Sequence, residues 1–239
     1  MMRAQPAKID RQFNGTPPSP AGPEVRWFRK QLLRWFRQNA RRFSWRRKRV
    51  STYERVICEA LLQRTQAQTI NAFLPAFIRQ FPSWSSLAKA SDRDLEACLK
   101  PIGLWRRRAQ SLLQLAREMS SRRGRFPRTR EEIEALPGVG QYIANAILLF
   151  TRRSPEPLVD VNMARVLERY FGPRLLADIR FDSYLQQLAR RVVSSADPVS
   201  VNWAILDLAA LVCKRDAPLC SACPLLARCQ FARRQSLNA

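Results

Sequence analysis

The sequence predicts an all-α fold. Apolar residues recur at helical spacing in one segment after another. None of these segments shows the period-two alternation of a strand, and Pro or Gly separates many of them. A helical domain with a small hidden sheet is the alternative reading. Residues 1–23 read as a disordered tail, broken by Pro6, Pro17, Pro18, Pro20 and Pro23. From Arg26 to Arg49 basic residues alternate with Trp27, Leu32, Trp35 and Phe36 and no acidic residue occurs, so a helix with one buried stripe is expected, followed by a basic turn over Arg46–Arg49. Helices are then expected over 53–64, 69–81 (stopped by Pro82), 92–99, 106–119, 130–136 and 141–150. Breaks fall at Pro101/Gly103, Gly124/Pro127 and Pro137-Gly138-Val139-Gly140. Segments 162–170, 182–194 and 202–213 complete the set, and 155–159 reads as an extended loop leading into Asp160. No segment recurs as a solenoid repeat.

Composition narrows the chemistry. The chain of 239 residues carries 42 Lys+Arg against 19 Asp+Glu, a formal net charge of +23. Such an excess favours a polyanionic partner, nucleic acid before an anionic membrane. Histidine is absent, which excludes imidazole bases, Ser-His-Asp triads and His-ligated zinc. No stretch approaches the roughly 18 apolar residues of a membrane span, and nothing resembles a signal peptide. A soluble, cytoplasmic, nucleoid-associated monomer is expected, with no membrane partner.

Two local patterns carry chemistry. Leu136-Pro137-Gly138-Val139-Gly140 lies between two helical patterns. Its glycines permit a tight turn with positive φ, and the helix from Gln141 opens with free N–H groups suited to phosphate. Such a hairpin grips a DNA backbone without reading sequence. The second pattern is Cys213-x6-Cys220-x2-Cys223-x5-Cys229, with Lys214, Arg215 and Arg228 in the same loop. Four thiolates suit tetrahedral zinc or a [4Fe–4S] cluster, and spacing alone does not choose between them. Cys58 and Cys98 fall inside helical patterns and read as small core residues.

These pieces resemble the endonuclease III superfamily of helix-hairpin-helix DNA glycosylases. The resemblance rests on LPGVGQYIANAILLF (136–150), VDVNMARVLERYFG (159–172) and the cysteine tail, and spans about 43–229. It implies a [4Fe–4S] cofactor on Cys213, Cys220, Cys223 and Cys229. It also implies two helical domains with a DNA-binding cleft between them: 52–158 with the hairpin, and 24–51 plus 159–239 with the cluster loop. ICEALLQRTQAQTI (57–70) is similar to the helix carrying the catalytic glutamate of mismatch glycosylases, which maps that residue onto Glu59. The family aspartate maps onto Asp160, and Tyr142 stands where strand-cutting relatives carry a Schiff-base lysine. A monofunctional hydrolase acting on double-stranded DNA is implied. Tyr142, the 102–112 segment and the ending ten residues beyond Cys229 most resemble the thymine/uracil group acting opposite guanine. Adenine excision from A:G or A:8-oxoguanine is the alternative.

The residues admit roles consistent with this. Asp160, at the start of a helix, can stabilise positive charge on C1′ or orient the attacking water; a plain N-cap role is compatible with either. Glu59 can bond or protonate the leaving base, or pair structurally with an arginine. Tyr142 can wall the pocket or belong to the core. The resemblance places Gln63, Arg64 and Gln66 in the gap left by the extruded base, and Leu104 and Trp105 in a wedge on the other strand, where a tryptophan departs from the family pattern. Asn162 is expected to orient Asp160 or bond phosphate. Gly138, Gly140 and Gln141 are expected at the DNA backbone, and Trp45, Arg46 and Arg47 at the border of the cleft.

Overall fold

The structure, a computed structural model, describes residues 20–152 and 154–237; residues 1–19 of the expected tail lie outside them. Among the described residues every regular element is helical. The first helix, α1 (Gly22–Asn39), begins earlier than expected. Pro23 sits in its first turn, where a missing N–H costs nothing, so the end of the expected tail is helical. Val25, Phe28 and Leu32 form its buried stripe. It also ends earlier than expected, at Asn39. An extended stretch then leads to a single 3₁₀ turn over Ser44–Arg46.

Six helices follow: α2 (Thr52–Leu62), α3 (Ala67–Gln80), α4 (Trp84–Ala88), α5 (Asp92–Leu99), α6 (Trp105–Ser121) and α7 (Arg130–Glu134). Their starts are set by side chains the sequence supplies. Ser51, Ser83 and Ser91 each accept a backbone N–H three residues on, and Thr129 closes a reciprocal capping box with Glu132. The short α4 escapes periodicity because one turn is too brief to show it, yet its Trp84 and Leu87 are buried. These helices enclose one hydrophobic cluster, with Ile57, Phe77, Leu87 and Met119 fully buried.

A second cluster lies among α1, α9 (Val161–Phe171), α10 (Ser183–Val193) and α11 (Pro198–Leu211). The helix α8 (Gln141–Arg152) belongs to both: Ile143, Ala144, Ile147 and Leu148 pack into the first cluster, Ala146 and Leu149 into the second. A helix apolar on all sides is a buried one, and here it is the partition between the two cores. The last helix, α12 (Gln230–Leu237), packs against α9. No helix among the described residues is long and apolar enough to cross a membrane.

The C-terminal loop corrects the expectation of an iron–sulfur centre. Cys213, Cys220, Cys223 and Cys229 line a small cavity of about 20 Å³ beside Arg169 and Phe231. Yet among the described residues no group of three or more Cys, His, Asp or Glu side chains is placed to hold a metal ion. The cysteines are free thiols. Spacing along the chain sets which cysteines are near one another, not whether their sulfurs converge. The loop is instead built of two 3₁₀ turns, Cys220–Ala222 and Leu226–Arg228. Cys213, Cys223 and Cys229 pack as small hydrophobes on the second cluster. Hydrogen bonds from Arg169 to Cys213 Sγ (3.4 Å), Lys214 O (2.6 Å) and Arg215 O (2.7 Å) tie the loop to α9.

Candidate active site

At the junction of the two cores lies a cavity of about 840 Å³, lined by residues of the segment between α1 and α2, of α2, α3 and their connection, of α8, α9 and α11, and of the loop before α10. Glu59, Tyr142 and Asp160 all line it, although 83 residues separate Glu59 from Tyr142. A second groove of about 900 Å³ runs beside α9 and α12. Its Arg165, Arg169 and Arg174 are already bonded to carbonyl oxygens or to Glu168, and it contains neither Glu59 nor Tyr142. The smaller of the two is therefore the candidate site.

Glu59 reaches it from the middle of α2, on the buried face between Cys58 and Leu61, and is 3% exposed. Among the described residues it makes no ion pair with an arginine. Tyr142, the second residue of α8, donates its hydroxyl hydrogen to Glu59 Oε2 at 2.9 Å. Burial pushes the Glu59 carboxyl up to about 7; the Tyr142 bond and the nearby Arg46 charge oppose this, and the Asp160 charge adds to it. Near neutral pH this group is poised to hold or release a proton.

Asp160 arrives by a different route. The 155–159 stretch is pinned by two buried amides, Asn145 of α8 and Asn202 of α11. Asn145 Nδ2 donates to Pro157 O at 2.8 Å. Asn202 Oδ1 accepts from Leu158 N at 2.7 Å, and its Nδ2 donates to Glu156 O at 3.1 Å. The chain then turns into α9, where Asp160 is the N-cap: its Oδ1 accepts from Asn162 N (2.9 Å) and Met163 N (2.8 Å). Its Oδ2 accepts from Asn162 Nδ2 at 2.7 Å. Arg165 holds Asn162 in turn, donating to its Oδ1 at 3.1 Å while bonding Cys213 O and Ala209 O. Capping and presentation to the pocket are thus simultaneous.

The expected DNA-contacting residues divide. Gln63, Arg64, Gln66, Asn162, Trp45 and Arg46 line the cavity. Leu104, Trp105, Gly138, Gly140, Gln141 and Arg47 do not. Leu104 is 51% exposed, while Trp105 packs partly on the first core under the Arg106 guanidinium, 4.4 Å from its ring centre. Arg64 and Leu104 both adopt left-handed backbone conformations, φ 58° and 50°. Arg108 joins their two loops: its guanidinium donates to Ile102 O (2.7 Å), Gly103 O (2.8 Å), Gln63 O (2.6 Å) and Thr65 Oγ1 (2.6 Å). In the hairpin only Gly138 has positive φ, +72°, with Ser111 packed beneath it. Gly140 has none and no neighbour within 4 Å of where a Cβ would stand. The expectation of positive φ at both glycines holds for the first alone.

Arg46 is not a free surface cation. With Arg41 it grips the fully buried Asp207 of α11, at 2.7 Å and 3.0 Å from its Nη atoms, while Arg41 Nε lies 2.6 Å from the same carboxylate. Its guanidinium carbon lies 5.0 Å from the ring centre of Phe43 and 5.1 Å from that of Trp203. Sequence reading missed Arg41, Trp203, Asp207, Arg108 and the two buried asparagines. The signal for the last was present, since a lone amide in an apolar helix needs a partner.

Residues 57–177 match the family described as HhH-GPD superfamily base excision DNA repair protein. The thymine-DNA glycosylase of Aeropyrum pernix is 34% identical over 202 residues, covering 82% of this chain and 90% of its own length. The adenine DNA glycosylase of Homo sapiens is 32% identical over 225 residues, covering 88% of this chain and 40% of its own length. The structure of a thermostable thymine-DNA glycosylase superposes with a TM-score of 0.79 at 28% identity, covering 89% of this chain and 98% of its own.

Proposed function

Because the chain belongs to the HhH-GPD superfamily of base excision DNA repair proteins, we propose that it is a monofunctional DNA glycosylase. Its substrate is thymine or uracil mispaired with guanine in duplex DNA. The observation that carries this reading is the convergence of Glu59, Tyr142 and Asp160 on one cavity large enough for an extruded base. Similarity to thymine-DNA glycosylases over most of both chains favours the pyrimidine substrate.

The chemistry follows from the two carboxyl groups. Cleavage of the N-glycosidic bond leaves positive charge on C1′ and negative charge on the departing base. The Asp160 carboxylate, fixed by three hydrogen bonds, stabilises the developing cation and takes a proton from the attacking water. Glu59, in the protonated form it holds below about pH 7, hydrogen-bonds the leaving pyrimidine, and Tyr142 keeps its carboxyl in place. A phenol forms no imine with C1′, so Tyr142 leaves the strand uncut. The two exposed loops held by Arg108 occupy the space the base vacates, and the hairpin before α8 holds the backbone.

Glu59 near pH 7 also suits protonation of a leaving adenine, and the similarity to adenine DNA glycosylases points the same way, so A:G excision is the second reading. Base release from labelled duplexes carrying G:T, G:U, A:G or A:8-oxoguanine, with and without alkali, tests both. Scission at G:T and G:U only after alkali is the expected result. Strand cutting without alkali would sink the monofunctional assignment, and release from the adenine pairs alone would establish the second reading.

A further inference from the structure

Helix α1 carries its charge on one face. Arg26, Lys30, Arg34 and Arg37 follow one another three or four residues apart, opposite the buried Val25, Phe28 and Leu32, and all four are exposed. No acidic residue occurs between Glu24 and Glu54. Glu24 itself is taken: it accepts from the Tyr170 hydroxyl, and from Arg228 at 3.0 Å. Among the described residues none of the four cations forms an ion pair. Other surface helices are built differently: Arg122 pairs with Glu118 and Arg130 with Glu134, each one turn away. A solvated helical face gains from such alternation, whereas like charges in one row repel and cost stability. Nearby cations are consumed by the fold, Arg29 on Ser194 O and both Arg41 and Arg46 on Asp207. The outer row is not.

We propose that the outer face of α1 is a second DNA-contacting surface, which holds the backbone of the duplex flanking the target, outside the cleft. The row leads along the chain to the candidate site. α1 ends at Asn39, the next segment lines the cavity with Arg41, Phe43, Trp45 and Arg46, and the exposed Arg42 and Arg47 stand among them. From Arg26 to Arg37 the helix rises about 16 Å. Over that length one strand of a duplex presents about five phosphates. Three of the four cations are arginines, whose forked donors suit phosphate oxygens. The surface reads no base; it adds affinity and keeps the protein on DNA between targets. This inference rests on the DNA glycosylase reading and extends it to residues that line neither large cavity.

The test compares the wild type with R26Q/K30Q/R34Q/R37Q, which keeps the buried stripe of α1. A control, R79Q/K89Q/R93Q/R117Q, removes the same charge from exposed positions around the first core. Each is titrated with duplexes carrying a central abasic-site analogue and arms of either about five or about fifteen base pairs. The α1 variant is expected to lose roughly 10- to 100-fold in affinity for the long duplex, and its salt slope should fall by about three to four. Its affinity for the short duplex should stay within about two-fold of the wild type, and the control should affect both lengths alike. K30Q/R34Q is expected to give about half the change in slope. Because the row repels itself, the α1 variant should unfold no earlier than the wild type. Equal losses at both lengths would assign the effect to net charge and overturn the proposal, as would no loss at either. Unchanged DNA binding with lost retention on immobilised polyglutamate would overturn it in favour of an acidic polypeptide. Base release is read separately: its absence in the wild type on every mispaired duplex sinks the glycosylase reading, whereas the α1 surface stands or falls on the length dependence of binding.

Discussion

Glu59 shows how one buried side chain sets a pH dependence. Its carboxyl is pushed from about 4.5 to about 7 chiefly by burial, so the folded chain binds the proton more tightly than the unfolded one. Stability from this group is therefore complete below about pH 4.5 and is lost as the pH rises through about 7. E59Q retains an acceptor for Tyr142 and carries no charge. It is expected to exceed the wild type in stability at pH 8 by up to about 3 kcal/mol, with the gap closing toward pH 5. Denaturant unfolding at the two pH values measures this; an equal gap at both would show that Glu59 does not titrate in this range. Wild-type excision should likewise decline above about pH 7, and that limb should be missing from the residual activity of E59Q. Asp160 is tested differently, by removing its carboxylate while keeping the cap. In D160N an amide oxygen can still cap α9 through Asn162 N and Met163 N. The fold and duplex binding should persist while excision is lost by several orders of magnitude, and full activity would remove Asp160 from the mechanism.

Among the elements, the hairpin and the two exposed loops are held by contrasting means. Gly138 needs its positive φ, and an added Cβ would stand 3.1 Å from Ser111 Cβ. G138A should therefore cost about 1–2 kcal/mol of stability. Gly140 meets neither restriction, so G140A should leave the unfolding midpoint in place and weaken duplex binding by placing a methyl on the bare backbone. Identical effects of the two substitutions on stability would contradict this division. The loops around Arg64 and Leu104 are strained, and the Arg108 guanidinium compensates with its four hydrogen bonds. R108M would strand buried carbonyl oxygens and should cost on the order of 3 kcal/mol. It should also reduce extrusion of the base, read by 2-aminopurine fluorescence, more than it reduces binding to an abasic duplex.

For the molecule as a whole, charge and partition matter most. A net charge of +23 makes the protein a general ligand for polyanions before any base is read. If about six phosphates are neutralised on binding, affinity for duplex DNA should fall roughly 10³-fold between 50 and 200 mM salt. A flat salt response in an equilibrium titration would argue against a backbone-dominated interface. The partition explains where chemistry happens. Two apolar cores share α8, and their junction brings α2, α8, α9 and α11 to one cavity. Polar groups are concentrated there because neither core alone can satisfy them: Asp207 needs Arg41 and Arg46 from before α2, and Asn202 needs the loop before α9.

Much of this was legible along the chain. Helix 92–99 was readable to the residue because Ser91 caps it and its apolar face is regular. The hairpin was readable from glycine and proline chemistry, and Asp160 from its place between an extended loop and an apolar helix. Periodicity did not reveal α4, which is one turn long, nor the early end of α1. Only the tertiary structure decided which distant groups meet. That Tyr142 bonds Glu59, that Asp207 clamps Arg46 on Trp203, and that Arg108 staples two loops are consequences of packing two cores against one helix. Tertiary structure also decided against a metal-holding cluster at the four cysteines. Helix periodicity, caps and turn glycines are local, acting within a few residues, so the sequence determined the elements by itself. Cysteine spacing leaves the direction of each sulfur open, and the distances that make a site are set between segments far apart in the chain.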